Sequence, residues 1–209
     1  MLNITGATTV CGIIGDPIAH TMSPAMQNAA FAYAGLDYVY VPWRVPTGAS
    51  ADCVDAIRTL GIRGLNVTVP HKVDIMSHLD DVDPVAARIG AVNTIVNEAG
   101  RLTGYNTDAD GFLAGLRSAG IDVCDADVVV MGAGGAARAV VFSLLDHGAS
   151  VIVLNRNPER AAALAQDVFA AGAGSVAHGR LCSDELERCL RGARLLVNTT
   201  SAGMHPSAG

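Results

Sequence analysis

The feature that most constrains this chain is a short run of apolar, β-forming residues ending in a cluster of glycines: Val128-Val129-Val130-Met131-Gly132-Ala133-Gly134-Gly135-Ala136-Ala137. The run does not alternate with polar residues, which predicts a strand over 127–131 buried on both faces. Residues 132–135 read as a tight turn, 136–147 as a helix and 150–154 as the next strand. Glycine fingerprints are weak evidence alone, because any βα turn can carry glycines. Here the strand, turn, helix and second strand are all in place. The glycines let the backbone approach an anion at the helix N-terminus, and the small Ala137 keeps helix and strand close. Gly132, Ala133, Gly134, Gly135 and Ala136 are therefore the predicted contacts to the pyrophosphate of a dinucleotide.

The end of the second strand chooses between dinucleotides. A carboxylate there would bond the free ribose 2′-hydroxyl of NAD. This chain instead has Asn155-Arg156-Asn157-Pro158-Glu159-Arg160. A 2′-phosphate meets no carboxylate at the strand end, and Arg156, joined by Arg160 one helical turn on, can pair with it. The expected cofactor is NADP, with Asn155, Arg156 and Arg160 around its adenosine end. The plainer alternative makes both arginines solvated surface residues.

The rest of the chain alternates strands and helices, the pattern of an α/β protein. Before the glycine motif we predict strands over 10–15, 38–45, 64–69, 92–96 and 101–105. The last two form a hairpin around Glu98-Ala99-Gly100. Helices are predicted over 23–34, 49–60 and 109–119, the first with Ser23 as N-cap and Pro24 at its first position. After residue 154 come a helix over 158–171, a weak strand near Val176, a helix over 184–190 and a strand over 195–198. We place the domain junction at 106–107, giving an N-terminal α/β domain (1–106) and a Rossmann-type domain (107–209). Half of the residues are apolar and only 16% are charged, so a buried core is expected rather than disorder. The net charge of −6, with no Lys/Arg cluster, argues against nucleic acid or an anionic membrane as partner. No apolar run reaches the roughly 18 residues of a membrane span, and residues 1–6 lack a basic secretory n-region. Cys11, Cys53, Cys124, Cys182 and Cys189 are scattered, as in a cytoplasmic protein with reduced thiols. His71 and His78 could share a helix face, which is poor evidence for a metal site; none is expected.

Three segments place polar groups where strands end, the usual ligand position in open α/β sheets. In Gly15-Asp16-Pro17-Ile18-Ala19-His20-Thr21-Met22-Ser23-Pro24, the hydroxyls of Thr21 and Ser23 sit at a helix N-terminus, suited to a carboxylate. In Asn66-Val67-Thr68-Val69-Pro70-His71-Lys72, strand alternation puts Asn66 and Thr68 on one face, and Pro70 ends the pairing before Lys72. The third comprises Gly90-Ala91-Val92-Asn93-Thr94 and Gly104-Tyr105-Asn106-Thr107-Asp108. Taken singly, each could be ordinary turn chemistry.

In their order and spacing these motifs, with G-A-G-G-A-A and N-R-N-P-E-R, resemble the shikimate dehydrogenase family along essentially all of the chain. The resemblance implies reversible hydride transfer between NADPH and 3-dehydroshikimate, giving shikimate for chorismate and aromatic amino-acid synthesis. It implies that Thr21 and Ser23 hold the substrate carboxylate and that Asn66, Thr68, Asn93 and Asp108 line the ring. Lys72 would be the catalytic residue, facing Asp108, and Thr199 would touch the cofactor. The implied partner is a small molecule, with a homodimer left open. Two departures stand out. The family's first substrate serine is Thr21 here, whose methyl group leaves quinate or an amino-substituted shikimate open as substrates. Relatives also continue for several tens of residues past N-T-T-S-A-G-M (198–204), so the Rossmann-type domain is expected to be incomplete, with strand 195–198 as an exposed edge. A non-catalytic NADP- or shikimate-binding module and a methylene-tetrahydrofolate dehydrogenase are the rival readings. Lys72 with Asp108 disfavours the first, and the hydroxyl-rich carboxylate site disfavours the second.

Overall fold

The computed structural model describes residues 4–203 and divides the chain into two compact units, Met1–Asn106 and Thr107–Gly209. The α/β reading holds in both.

The first unit is built on a mixed six-stranded sheet of order β2-β1-β3-β5-β6-β4. Its strands are β1 (Thr9–Gly15), β2 (Tyr38–Arg44), β3 (Gly64–Val67), β4 (Asp81–Val82), β5 (Thr94–Glu98) and β6 (Arg101–Tyr105). Strand β1 runs parallel to both β2 and β3, while β5 is antiparallel to β3 and β6. One sheet face carries the apolar core. Ile14, Leu65, Val67, Ile95 and Leu102 from the strands meet Val54 and Ile57 of α2 (Ser50–Thr59) there, together with Ile75 and Ala86. Trp43 borders this core, and it fixes the identity of Gly12. A Cβ at position 12 would lie 2.1 Å from the Val41 carbonyl oxygen and 2.3 Å from the Trp43 ring. Helix α1 (Ser23–Tyr33) buries none of its residues and is tied to β2 by the Asn28 side chain. The β5–β6 hairpin closes through Ala99 and Gly100, both at positive φ (51° and 91°), the two-residue turn that matches strand twist.

Several boundaries differ from expectation. The α1 cap is Met22, not Ser23, so the Ser23 hydroxyl is not an N-cap. Strand β3 ends at Val67, although Thr68 still donates its amide to the Ile14 carbonyl and the Val69 carbonyl accepts from the Asp16 amide. β5 starts at Thr94 and not at 92, since the Val92 amide goes to the Lys72 carbonyl, while Asn93 still bonds Tyr105 of β6 and Val67 of β3. A 3-10 turn at Asp74–His78, the two-residue β4 and helix α3 (Pro84–Ile89) lie in a stretch for which no element was predicted. His71 is not helical and does not share a helix face with His78; it is 1% exposed in the core.

The second unit carries a four-stranded parallel sheet of order β10-β7-β8-β9. It comprises α4 (Asp108–Ser118), β7 (Asp127–Met131), α5 (Gly135–Asp146), β8 (Ser150–Asn155), α6 (Pro158–Ala170), β9 (Ala177–Arg180), α7 (Ser183–Leu190) and β10 (Leu195–Asn198). The chain builds outward from β7 through β8 to β9, then crosses back to place β10 on the other side of β7. Helix α5 buries seven residues, Ala137 among them, because it lies between neighbours on nearly every side. Among the described residues β10 is an edge strand, and its Leu196 is 42% exposed. The readings made for residues 1–3 and 204–209 lie outside the described residues.

Candidate active site

In the second unit the strand order reverses between β7 and β10, and the glycine turn sits at the carboxyl end of β7, beside that switch point. Such crevices hold ligands because the neighbouring loops diverge there. Gly132 adopts φ +111°, and its amide donates to the Leu154 carbonyl at 2.8 Å. Thr199 follows β10 and gives both its amide (2.9 Å) and its hydroxyl (2.7 Å) to the Met131 carbonyl. The turn is thereby closed from the β10 side. Gly134 precedes α5 with extended backbone, and no side chain caps the helix. A Cβ built on Gly134 would meet nothing within 4 Å. An uncapped 12-residue helix behind an open glycine suits a phosphate group, since its first amides need acceptors and its dipole favours negative charge. The structure thus fits the dinucleotide expected from the sequence.

At the end of β8, the Asn155 side chain donates to the Asn157 carbonyl at 2.9 Å, and Asn157 caps α6 by accepting from the Glu159 amide at 2.9 Å. The loop is therefore held by its own amides, and Arg156 and Arg160 project from it exposed. Ala133 lies in the glycine turn after β7, and Ala136 in the first turn of α5.

The first unit gathers its candidate residues at the carboxyl ends of β1 and β3. Thr21 and Ser23 are coupled, with the Thr21 hydroxyl donating to Ser23 Oγ at 3.2 Å and the Ser23 amide donating to Thr21 Oγ1 at 3.3 Å. Thr68 leaves β3 beside Gly15, whose added Cβ would lie 2.5 Å from the Thr68 methyl group. His71 anchors the segment that carries Lys72. Its Nε2 lies 2.8 Å from the Val45 carbonyl, which can only accept, so Nε2 carries the proton. The other ring nitrogen, Nδ1, then faces the Ser50 hydroxyl at 3.5 Å. Lys72 is half-buried, and its own carbonyl takes the Val92 amide at 2.7 Å. That bond joins the Lys72 segment to the loop carrying Asn93.

Asn93 is itself 8% exposed, and its carbonyl accepts from the Val67 amide at 2.8 Å. Asn66 is committed within the sheet: its Oδ1 accepts from the Tyr40 hydroxyl at 2.6 Å, and its Nδ2 donates to Thr94 Oγ1 at 3.1 Å. Thr94 was noted only as part of the Gly90–Thr94 segment, and Tyr40 not at all, since nothing in the sequence separates it from ordinary strand residues. Burial pushes the Tyr40 phenol up to about 12. Asp108 is half-buried at the first position of α4, so it belongs to the second unit, while Lys72 belongs to the first.

Comparison with known proteins follows this division. Residues 13–95 match the family described as shikimate dehydrogenase substrate binding domain, and residues 116–205 match the one described as shikimate / quinate 5-dehydrogenase. The NADP(+) shikimate dehydrogenase of Moorella thermoacetica is 48% identical over 99% of this chain and 70% of the relative. A crystal structure of shikimate 5-dehydrogenase from Thermus thermophilus, in complex with NADP(H) and shikimate, superposes with a TM-score of 0.80. It is 42% identical, over 94% of this chain and 70% of that one. A quinate dehydrogenase from Corynebacterium glutamicum in complex with NAD aligns at 33% identity and a TM-score of 0.83, over 97% of this chain and 74% of that one.

Proposed function

The chain belongs to the shikimate dehydrogenase family, and from that premise we propose that it catalyses reversible NADP-dependent interconversion of shikimate and 3-dehydroshikimate. The observation that carries the redox reading is the glycine turn at the β7/β10 switch point. Its open Gly134 and uncapped α5 offer backbone amides to a pyrophosphate. Arg156, with Arg160 beside it, supplies charge for a 2′-phosphate where no carboxylate would repel one. Gly132, Ala133, Gly135, Ala136, Asn155 and Thr199 shape the rest of that site. Residues 1–106, joined by Asp108, take the substrate, and residues 107–209 take the cofactor.

Bound NADPH supplies the hydride. As the carbonyl carbon accepts it, negative charge develops on oxygen and must be stabilised and protonated. The Lys72 ammonium can do both, and a positioned donor of this kind contributes about 10²- to 10⁴-fold in rate. The local structure supports this role: the segment carrying Lys72 is pinned on one side by buried His71 and on the other by the Val92 amide, so the ammonium starts from a fixed base. Thr21 and Ser23 bind the substrate carboxylate, while Thr68, Asn93 and Asp108 address the ring hydroxyls. The reading includes a cytoplasmic location, in keeping with five unpaired cysteines, and a homodimer, which size measurement in solution tests. Among the described residues no helix is long and apolar enough to cross a membrane.

The direct test is NADP⁺ reduction by the full-length protein with shikimate, with quinate and with no substrate. Activity with shikimate is expected, and Lys72→Ala should lower turnover at least about a hundredfold with little change in substrate affinity. Near-normal turnover in that variant removes Lys72 from the chemistry.

A further inference from the structure

Three arginines from different parts of the sequence come to one corner of the second unit. Arg156 follows β8 directly, Arg160 stands in the first turn of α6, and Arg180 ends β9. The strand register places the third. β9 runs parallel to β8 with Arg180 opposite Asn155, and the Leu181 amide donates to the Asn155 carbonyl at 2.9 Å. Arg180 is thus held beside the end of β8, one inter-strand spacing of about 4.8 Å away. Its direction follows from its neighbour. A Cβ on Gly179 would lie 3.3 Å from Glu185 Oε1, so Gly179 faces α7, and by alternation Arg180 points to the other face of the sheet. Helix α6 packs on that face, because the chain moves outward through α6 and back through α7, and right-handed crossovers then put the two helices on opposite sides. α6 starts at Pro158, just after β8 ends at Asn155, so its first turn lies at the same end of the sheet as Arg180. All three arginines are exposed, and none has an acidic partner among the described residues. Arg138, Arg188 and Arg191 of the same unit are instead paired with Asp167, Glu185 and Glu187.

We infer that Arg180 is a specificity-determining residue, a third cation for the 2′-phosphate that distinguishes NADP from NAD. The inference rests on the NADP reading proposed above. A phosphate monoester carries a charge of roughly −1.5 to −2 at neutral pH. Arg156 and Arg160 bring two positive charges to the loop after β8, but Glu159, in the first turn of α6, offsets one of them. The loop alone therefore undercompensates the phosphate. Arg180 makes up the difference from the next strand, with a guanidinium whose paired N–H donors suit phosphate oxygens. In a chain of net charge −6 such a local surplus of positive charge decides whether a second anionic group on the nucleotide is accepted. NAD carries a hydroxyl at this position and gains little from the third charge. The contribution of Arg180 is thus a preference between two nucleotides more than affinity for either.

The test is equilibrium titration of the full-length protein with NADP⁺ and with NAD⁺. Arg180→Ala is expected to weaken NADP⁺ about 3- to 10-fold and NAD⁺ by less than about twofold. Arg180→Glu should cost NADP⁺ more, about 10- to 100-fold, because it replaces attraction by repulsion. Arg180→Lys, which keeps the charge but not the paired donors, should fall between the parent and Arg180→Ala. The NADP⁺ loss in Arg180→Ala should shrink in about 1 M NaCl, where the screening length is only about 3 Å. Losses of equal size for the two nucleotides would mark Arg180 as a contact to adenine or a support of the fold, and overturn the inference. An NADP⁺ affinity unchanged in both Arg180→Ala and Arg180→Glu overturns it as well. Arg156→Ala separates this failure from that of the underlying reading. If it abolishes the preference for NADP⁺ while Arg180→Ala does not touch it, only the role of Arg180 falls. If neither variant alters the preference, the 2′-phosphate site itself is misplaced.

Discussion

Two glycines two residues apart in the same turn are predicted to fail in opposite ways when each becomes alanine. Gly132 holds φ +111°, where side chains are strained by about 1–3 kcal/mol. A methyl group there would also sit 2.4 Å from Thr199 Oγ1, the hydroxyl that bonds the Met131 carbonyl. Thr199 must shift, and its hydrogen bond, worth about 1 kcal/mol, is lost or weakened. Gly132→Ala should therefore cost about 2–4 kcal/mol, a fall of roughly 10 °C in the melting step of the second unit. In a Thr199→Ala background the same substitution should cost about 1 kcal/mol less, because the clash has gone. Gly134 is the opposite case. Its backbone is extended, and an added Cβ meets open space. The poorer capping by alanine is offset by the lower entropy of the unfolded chain, so stability should change by no more than about 0.5 kcal/mol. The methyl group nevertheless stands where a pyrophosphate would approach, and NADP⁺ affinity should fall about tenfold or more. Far-UV circular dichroism follows the melting, and calorimetric titration follows NADP⁺. Trp43, the single tryptophan, lies in the first unit, so its fluorescence provides an internal control. A Gly132→Ala protein as stable as its parent would refute the steric argument. A Gly134→Ala protein with full NADP⁺ affinity would remove the α5 N-terminus from the cofactor site.

Arg156→Ala should weaken NADP⁺ binding by about 10- to 100-fold while barely affecting NAD⁺; equal losses for both nucleotides would place Arg156 away from the 2′-phosphate. Asp80 gives a pH prediction. Hydrogen bonds from Arg58, and then from the Leu102 amide, hold its carboxyl below the ordinary value of 3.8. A carboxylate with a lowered folded-state pKa stabilises above its unfolded value, and that contribution is lost as pH falls through the lowered one. Asp80→Asn should thus be less stable than the parent at pH 7, with the gap closing below about pH 4 in urea titrations. A gap independent of pH would mean that the charge on Asp80 contributes nothing.

What the sequence disclosed follows from how far each determinant reaches along the chain. β7 and β10 appear at their predicted bounds because short apolar runs between turn residues identify themselves. The start of α6 was legible because Asn157-Pro158 is a local cap, and the Asn157 side chain does bond the Glu159 amide. Helix α3 had the same signals, Asp83-Pro84 before it and Gly90 after it, and could have been found from them. The 3-10 turn and the two-residue β4 could not, since neither is long enough to show a period. Ser23 misled for a related reason: a hydroxyl beside proline resembles a cap, but its partner is Thr21 two residues back. In the candidate site, the residue types at strand ends were visible because chemistry limits them to lysine, carboxylate, amide and hydroxyl. The hydrogen bonds of Asn66 were not. Tyr40 reaches Asn66 across 26 residues, and Asn66 reaches Thr94 across 28. The Asn66 side-chain amide also donates to a main-chain carbonyl, that of Asn93, which no side-chain pattern can encode. A sequence can therefore nominate Asn93 as a contact, but only the packed sheet decides which partners Asn66 and Thr94 take beside it.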